Sequence, residues 1–289
     1  MYAPSFDYHR ASSVAEAQQL LAANPGAKLL AGGHSLLPML KLRLAAPSAL
    51  IDIGQITALK GIAVSDGGLR IGAMTTHAEV AASPLIGTHC PVVAEAAARI
   101  GDMAVRNRGT IGGSVAHADP AADLPTVLSA VGARMEIAGA GGKARVVEAA
   151  NFFEGLMATA VGEGEILTAI LVPAAAAGTG AAYAKFAHPA SRYAVVGAAA
   201  VVAVARGVCS RAIIIVGGVT ATPARLGSVE AALTGARLTA DVIAAASAKV
   251  AGDLAGDLMG DLFASAEYRR HVAGAWVAKA VTAAADRAR

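Results

Sequence analysis

Two stretches decide the reading of this chain: Ala31-Gly32-Gly33-His34-Ser35 and, far downstream, Thr110-Ile111-Gly112-Gly113-Ser114. A glycine pair tolerates positive φ and puts no Cβ in the way, so successive N–H groups can converge into a concave donor nest suited to an anion. Lys28-Leu29-Leu30 reads as a short buried strand entering the first loop. Leu36 to Lys41 reads as a short helix leaving it, with Ser35 placed to cap that helix. Strand, glycine turn and helix start together form an anion site. Gly-Gly alone is ordinary turn punctuation in a chain with 32 glycines. The pair, with hydroxyl residues at matching ends, predicts one pyrophosphate gripped from both sides. Neither loop is the G-x-G-x-x-G of a nicotinamide fold or the G-x-x-x-x-G-K-S/T of an ATP site.

A chain of 289 residues, 55% hydrophobic and only 16% charged, can bury a sizeable core in about two domains. The net charge of +3 is not gathered into a block, which argues against a nucleic-acid partner. Arg106-Asn107-Arg108 is the densest basic spot and is read as surface or partner-facing. The longest apolar run, 194–205, ends at Arg206 and falls short of the roughly 20 residues that span a bilayer, so it reads as a buried strand. The stretch from Met1 to Tyr8 has no basic segment followed by an apolar one, so no secretory leader is expected. A cytoplasmic chain follows, with peripheral contact at the inner face of the membrane the one membrane association left open. Cys90 and Cys209 are far apart and form no C-x-x-C, so neither a disulfide framework nor an iron–sulfur or zinc site is expected. Metal chemistry must then come from a partner.

Ser13-Val14-Ala15-Glu16 is a capping box opening a helix through Leu21, and Asn24-Pro25-Gly26 stops it. With a strand at 50–53 this makes a small α/β unit ending near Gly54. Then follow a strand at 69–72, a second capping box at Thr76-His77-Ala78-Glu79, helices at 92–100 and 121–128, and strands at 134–137, 145–147 and 166–172. Residues 173–180 lack apolar periodicity and read as a linker. Beyond it, strands at 183–186, 194–205 and 212–216 precede helices at 229–233, 242–250 and 268–285, the order of a separate α+β domain. No repeat of fixed period is present.

The glycine loops resemble, together with Ser5-Phe6-Asp7-Tyr8, Gly72-Ala73-Met74-Thr75-Thr76, Tyr183-Ala184-Lys185-Phe186 and Glu267-Tyr268-Arg269, those of a known family. Over essentially its whole length the chain is similar to the flavin-binding medium subunit of the molybdenum hydroxylases, of the carbon monoxide dehydrogenase type. The resemblance implies an α+β protein. A two-subdomain FAD-binding domain of the vanillyl-alcohol-oxidase (PCMH) type would occupy 1–175, with subdomains at about 1–54 and 55–175. A C-terminal α+β domain, a three-stranded antiparallel sheet plus three helices, would occupy 181–289. FAD is expected to be non-covalent.

Carried over residue by residue, the first phosphate loop falls on Leu29, Leu30, Ala31, Gly32, Gly33, His34, Ser35 and Leu36, and the second on Thr110, Ile111, Gly112, Gly113 and Ser114. Asp123 matches an acidic contact to the cofactor, and Leu167 and Lys185 an apolar and a basic one. Ile100 stands where some relatives have an aromatic residue beside the adenine. Tyr193 matches an aromatic residue against the isoalloxazine, though it reads equally as the first core residue of the long apolar strand. Ser191-Arg192-Tyr193 replaces the Gly-Asp-Tyr frequent in form I carbon monoxide dehydrogenases. Gly-Gly-His-Ser also occurs in oxidases with a covalent 8α-histidyl flavin, but these carry arginine and serine where this chain has Leu30-Ala31, so His34 is read as shaping the loop. His117 and Asp119 suggest a proton relay or a local turn, and the turn is the expectation.

No Ser-His-Asp pattern or paired carboxylates appear, so no catalytic residue is assigned and the chemistry is the cofactor's own. The resemblance implies an electron-transfer subunit. Its FAD would lie between the 2Fe-2S clusters of a small subunit and a quinone or other acceptor, with substrate oxidised on a large molybdopterin subunit and two heterotrimers paired into a heterohexamer. Carbon monoxide is the favoured substrate; aldehyde or N-heterocycle hydroxylases, and a self-sufficient flavin oxidase or reductase, are the alternatives.

Overall fold

The computed structural model describes residues 2–65, 67–254 and 256–288. Met1, where the stretch read against a leader begins, and Arg289, the end of the expected C-terminal domain, lie outside the described residues, as do Asp66 and Ala255 within the expected domains. The first unit runs β1 (Asp7–Arg10), α1 (Val14–Ala23), β2 (Lys28–Leu30), α2 (Leu36–Lys41) and β3 (Ala49–Asp52). Its sheet is parallel in the order β1-β3-β2, with Leu50 opposite both Tyr8 and Lys28. Central β3 is buried, and Ala17 of α1 packs with Ile51 in the small core beneath the sheet. Ser13 caps α1 by accepting from the Glu16 N–H at 3.1 Å. The expected box is only half made: the Glu16 carboxylate turns to Ser12, which offers both an N–H at 2.8 Å and a hydroxyl at 2.5 Å. Ser35 likewise precedes α2 without a side-chain cap, because its own backbone is already helical at φ −101 and ψ −51.

The second unit comprises β4 (Ile62–Ser65), β5 (Gly68–Gly72), α3 (His77–Ala82), α4 (Pro84–His89), α5 (Pro91–Ala98), α6 (Met103–Arg106), α7 (Ile111–His117), α8 (Asp123–Ala130), β6 (Arg134–Ala138), β7 (Ala144–Glu148), β8 (Phe153–Gly155), β9 (Ala158–Thr159) and β10 (Ile166–Pro173). Its antiparallel sheet has the order β4-β5-β10-β6-β7, and Ile170 of central β10 faces Ile71 and Met135. β8 and β9 pair as a separate hairpin. The Thr76–Glu79 box is complete and starts α3.

The third unit holds β11 (Thr179–Ala187), β12 (Ala194–Ala205), β13 (Val208–Gly217), β14 (Ala224–Arg225), α9 (Gly227–Leu233), α10 (Ala240–Ser247), α11 (Val250–Asp253) and α12 (Ala266–Arg287). The three expected strands are there, but β14 adds a fourth at the edge of β13, and α11 adds a helical turn to the three expected helices. The β14 edge is held from α9, whose Glu230 carboxylate accepts both from the Ile214 N–H and from the Arg225 guanidinium.

β12 is buried on both faces because its residues are small or β-branched. Val196, Ala198, Ala200 and Val202 meet α12, whose Ala273, Val277, Ala280, Val281 and Ala284 form one helical stripe. Each valine of that stripe stabilises by about 1.5–3 kcal/mol through burial. The approach is closest at Gly180, where a Cβ would lie 1.9 Å from the Ala284 carbonyl oxygen. Ala199, with its neighbours Tyr183 and Ile215, joins the core of the second unit instead. There α8 crosses so closely that a Cβ at Gly217 would lie 2.0 Å from Thr126 Oγ1.

Candidate functional site

The three units meet around a cleft of about 480 Å³, within the roughly 300–1,000 Å³ of ligand pockets. The first loop supplies Ala31, Gly32, Gly33, His34, Ser35 and Leu36, the second unit Ile100, Thr110, Gly113, Ser114 and Asp123, and the β11–β12 hairpin Tyr193. All of these were expected at the site, and the fold brings them together.

The first loop is built as its glycines demand. Gly33 has φ +77, and a Cβ at Gly32 would lie 2.2 Å from the Arg108 carbonyl oxygen, so the loop rests directly on the backbone of the second unit. The N–H groups of Gly32, Gly33, His34 and Ser35 have no protein acceptor among the described residues. These are the free donors an anion needs.

The second loop departs from the expected nest. Ile111 through Ser114 are the first residues of α7, and neither Gly112 nor Gly113 has positive φ. Their N–H groups are spent within the protein: Ile111 on the Thr75 carbonyl at 2.9 Å, Gly112 on that of Ala73 at 2.9 Å, Gly113 on Thr110 Oγ1 at 3.1 Å, and Ser114 on the Thr110 carbonyl at 3.0 Å. Its glycines serve close approach instead, since a Cβ at Gly112 would lie 2.4 Å from that of Ala73.

Six expected residues do not border this cleft. Ile111 and Gly112 are buried behind it. Leu167 lies opposite Ile137 in the sheet core. Leu29 packs into the core of the first unit, and Leu30 borders a smaller hollow of about 350 Å³ behind the first loop. Lys185, with a side chain 3% exposed, instead holds a residue that does border it: its Nζ lies 2.7 Å from Asp123 Oδ2, and the Tyr183 hydroxyl donates to Oδ1 at 2.5 Å. Burial pushes the Asp123 carboxyl up, and Lys185 and Tyr183 pull it back. The Tyr183 phenol is pushed well above its ordinary range by burial and by Asp123.

Tyr193 is 40% exposed and precedes β12, which starts at Ala194, so it is not the strand's first core residue. Its position is set from below. Ala194 donates to the Ala121 carbonyl at 3.0 Å and Gly218 to that of Pro120 at 2.8 Å, which docks the 119–122 turn against the hairpin. Asp119 Oδ1 accepts from the Ala121 N–H at 2.8 Å, the local turn rather than a relay, while His117 closes α7; both border the cleft. Arg106 is bound to the Ile100 and Gly101 carbonyls at 2.9 and 3.1 Å, whereas Arg108 is exposed. Sequence reasoning missed His77 and Gly109 as lining residues. The capping box marked where His77 starts a helix, and nothing in it marked the ring as facing a cleft.

Residues 4–175 match the family model described as the FAD binding domain in molybdopterin dehydrogenase, and residues 181–284 that of the CO dehydrogenase flavoprotein C-terminal domain. The chain belongs to this FAD-binding family of the molybdopterin dehydrogenases. Similar to this flavoprotein subunit is the carbon monoxide dehydrogenase medium chain of Hydrogenophaga pseudoflava, 42% identical over 286 residues and covered to 98% on both sides. So is the 6-hydroxypseudooxynicotine dehydrogenase complex subunit alpha of Paenarthrobacter nicotinovorans, 39% identical over 292 residues, covering 100% of this chain and 97% of the relative. Among solved structures, carbon monoxide dehydrogenase from H. pseudoflava superposes with a TM-score of 0.94 at 42% identity, covering 99% of each chain. Quinoline 2-oxidoreductase from Pseudomonas putida 86 does so with 0.92 at 34% identity, covering 100% of this chain and 99% of that one. The expected family and the FAD-binding part followed by a flavoprotein C-terminal part are thereby borne out. Its relatives are medium chains of multi-subunit oxidoreductases, so the flavoprotein subunit is one component of such an enzyme and works with partner subunits.

Proposed function

We propose that this chain is the FAD-holding electron-transfer subunit of a molybdenum hydroxylase that oxidises carbon monoxide. The observation that carries the reading is the donor set of the cleft. The N–H groups of Gly32, Gly33, His34 and Ser35 lack protein acceptors among the described residues, which suits a diphosphate, and the half-exposed ring of Tyr193 borders the same cleft, which suits a flavin ring. The residues present therefore fit FAD. In this reading the residues of the cleft named above touch the cofactor, Leu29, Leu30, Ile111, Gly112 and Leu167 back them from the core, and Lys185 acts through Asp123. The FAD-binding part divides near residue 54 and ends near 175, ahead of the C-terminal part at 181–289.

The bound cofactor supplies acceptance of electrons singly and their release in pairs. The chain's own work would be to anchor one end, fix Asp123 by two buried donors, and leave the cofactor reachable by an acceptor, a quinone or another oxidant. A small subunit with 2Fe-2S clusters and a large molybdopterin subunit complete the enzyme, as a dimer of heterotrimers in the cytoplasm. Carbon monoxide is favoured because medium chains of two carbon monoxide dehydrogenases, 42% and 38% identical, match nearly the whole chain. Substrate choice itself belongs to the large subunit.

The test is acid precipitation of the purified chain. Flavin released to the supernatant, identified as FAD, is expected; flavin retained in the pellet points to a covalent link at His34, and a colourless preparation that takes up no added FAD overturns the reading.

A further inference from the structure

His77 is the first residue of α3, with its N–H held by the Gly109 carbonyl at 2.9 Å. Beside it, a bridge between Thr76 and Thr110 ties α3 to the start of α7. The residue is 4% exposed and borders the cleft. Its Nδ1 is buried without a partner among the described residues. A buried polar atom left unpaired carries a desolvation penalty, and here no acceptor reserves the ring proton for Nδ1, so the proton is available at Nε2. The Nε2 edge stays open because residue 109 is glycine: a Cβ there would lie 2.8 Å from Cδ2 and 3.1 Å from Nε2 and would cover it.

The ionisable groups that act on this ring are His34 on the first loop and Arg106 on α6, and both also help to lower the carboxyl of Asp102 at the start of α6. Burial first, then the neighbouring His34 and the Arg106 guanidinium, hold the imidazole down to about 4. At neutral pH it is an uncharged donor placed beside the free N–H groups of the first loop. An imidazole with an open N–H and four backbone donors that no described residue accepts from suit an anion, and the Arg106 guanidinium, itself held by the Ile100 and Gly101 carbonyls, adds positive charge nearby.

We propose that His77 is a cofactor-holding residue whose Nε2–H binds the diphosphate of the dinucleotide, completing from the second unit the donor set that the first loop begins. This rests on the FAD reading above.

The test titrates the flavin-free full chain with FAD, ADP and adenosine by calorimetry, in wild type, His77→Phe and His77→Gln. His77→Phe is expected to weaken FAD and ADP by about tenfold or more, the worth of one hydrogen bond to a charged group, and to leave adenosine unaffected. His77→Gln, which returns a neutral N–H, is expected to recover most of the loss. Equal FAD and ADP affinities in wild type and His77→Phe overturn the proposal, as does an adenosine affinity that falls in step with that of ADP. Should His77→Phe not fold, nitrogen-15 spectra of the wild-type histidines decide, with the His77 signals assigned by their loss in His77→Gln. Added ADP must shift the His77 Nε2 resonance, and an unmoved resonance overturns the proposal. A wild-type chain that binds no FAD overturns the FAD reading instead.

Discussion

At the scale of single residues, the two glycine loops differ in what a side chain would cost. Gly33 has φ +77, and its Cβ direction meets Leu37 Cδ1 at 3.0 Å. Valine there adds backbone strain of about 1–3 kcal/mol and crowds the free donors beside it. Gly113→Val places its Cβ 2.8 Å from Thr110 Oγ1, the acceptor that caps α7, so it disturbs a cap worth about 1 kcal/mol as well as the cleft wall. Both variants are expected to purify folded with a reduced flavin-to-protein absorbance ratio, and full FAD occupancy in either removes that glycine from the site. Tyr193→Ala is expected to keep FAD bound, because the anchoring donors lie elsewhere, while shifting the flavin spectrum and reduction potential. An unchanged spectrum takes its ring off the flavin. His77 gives a pH signature in the flavin-free chain. Its imidazole is held to about 4 in the fold against 6.5 when unfolded, so between these values the unfolded chain binds the extra proton and stability falls as pH drops from 6.5 to 4. The loss from this group approaches about 3 kcal/mol at about 1.4 kcal/mol per pH unit. Denaturant midpoints across this window are expected to lose that slope in His77→Gln.

At the scale of elements, α8 and β11 are joined by one buried charge set. Asp123 begins α8, and Tyr183 and Lys185 stand two apart on β11, so both point to the same face of the sheet. Asp123→Asn leaves the Lys185 ammonium buried without its carboxylate and is expected to cost about 3–5 kcal/mol in urea unfolding. The double variant Asp123→Leu, Lys185→Met removes both charges and is expected to regain most of that. If the double variant is no more stable than the single one, the pair is not what joins the elements. The same set marks what the sequence could and could not tell. β12 was legible to the residue because twelve small or β-branched residues run uninterrupted before Arg206. The first loop was legible because its strand, glycines and helix lie side by side in the chain. The second loop was misread as a nest because the carbonyls that consume two of its N–H groups, at Thr75 and Ala73, lie 36 and 39 residues upstream, while Thr110 takes the other two as the start of a helix. Lys185 was matched to a basic cofactor contact through the family resemblance, and nothing in the sequence marked Asp123, 62 residues upstream, as the neighbour its ammonium meets. β14 was missed because two residues carry no periodicity, and Glu230 on another element fixes them.

At the scale of the whole molecule, the third unit closes the cleft and is itself built into the second. One face of its sheet packs on α12 and the other enters the core beneath α5 and α8, so Tyr193 is carried on a hairpin whose root is rigid. That construction suits a wall that must present a flavin to an acceptor and serves no visible substrate chemistry. Among the described residues no group of three or more His, Cys, Asp or Glu is placed to hold a metal ion. Both cysteines are buried, and burial pushes the Cys90 thiol up to about 11, so it is a poor nucleophile at neutral pH. At the cleft, the Asp123 carboxylate is committed to Lys185 and Tyr183 and is not free to act as a base, and that of Asp119 accepts from the Ala121 N–H. The purified chain loaded with FAD is therefore expected to be reducible by dithionite and reoxidisable by a quinone, and to reduce no dye when given carbon monoxide or an aldehyde. Adding the iron–sulfur and molybdopterin subunits is expected to restore dye reduction with carbon monoxide, and Gly33→Val in the reconstituted enzyme to abolish electron delivery to the quinone while leaving the large subunit able to take electrons from its substrate. Turnover of carbon monoxide or an aldehyde by the FAD-loaded chain alone would move the substrate site into this cleft and make the chain a self-sufficient oxidase.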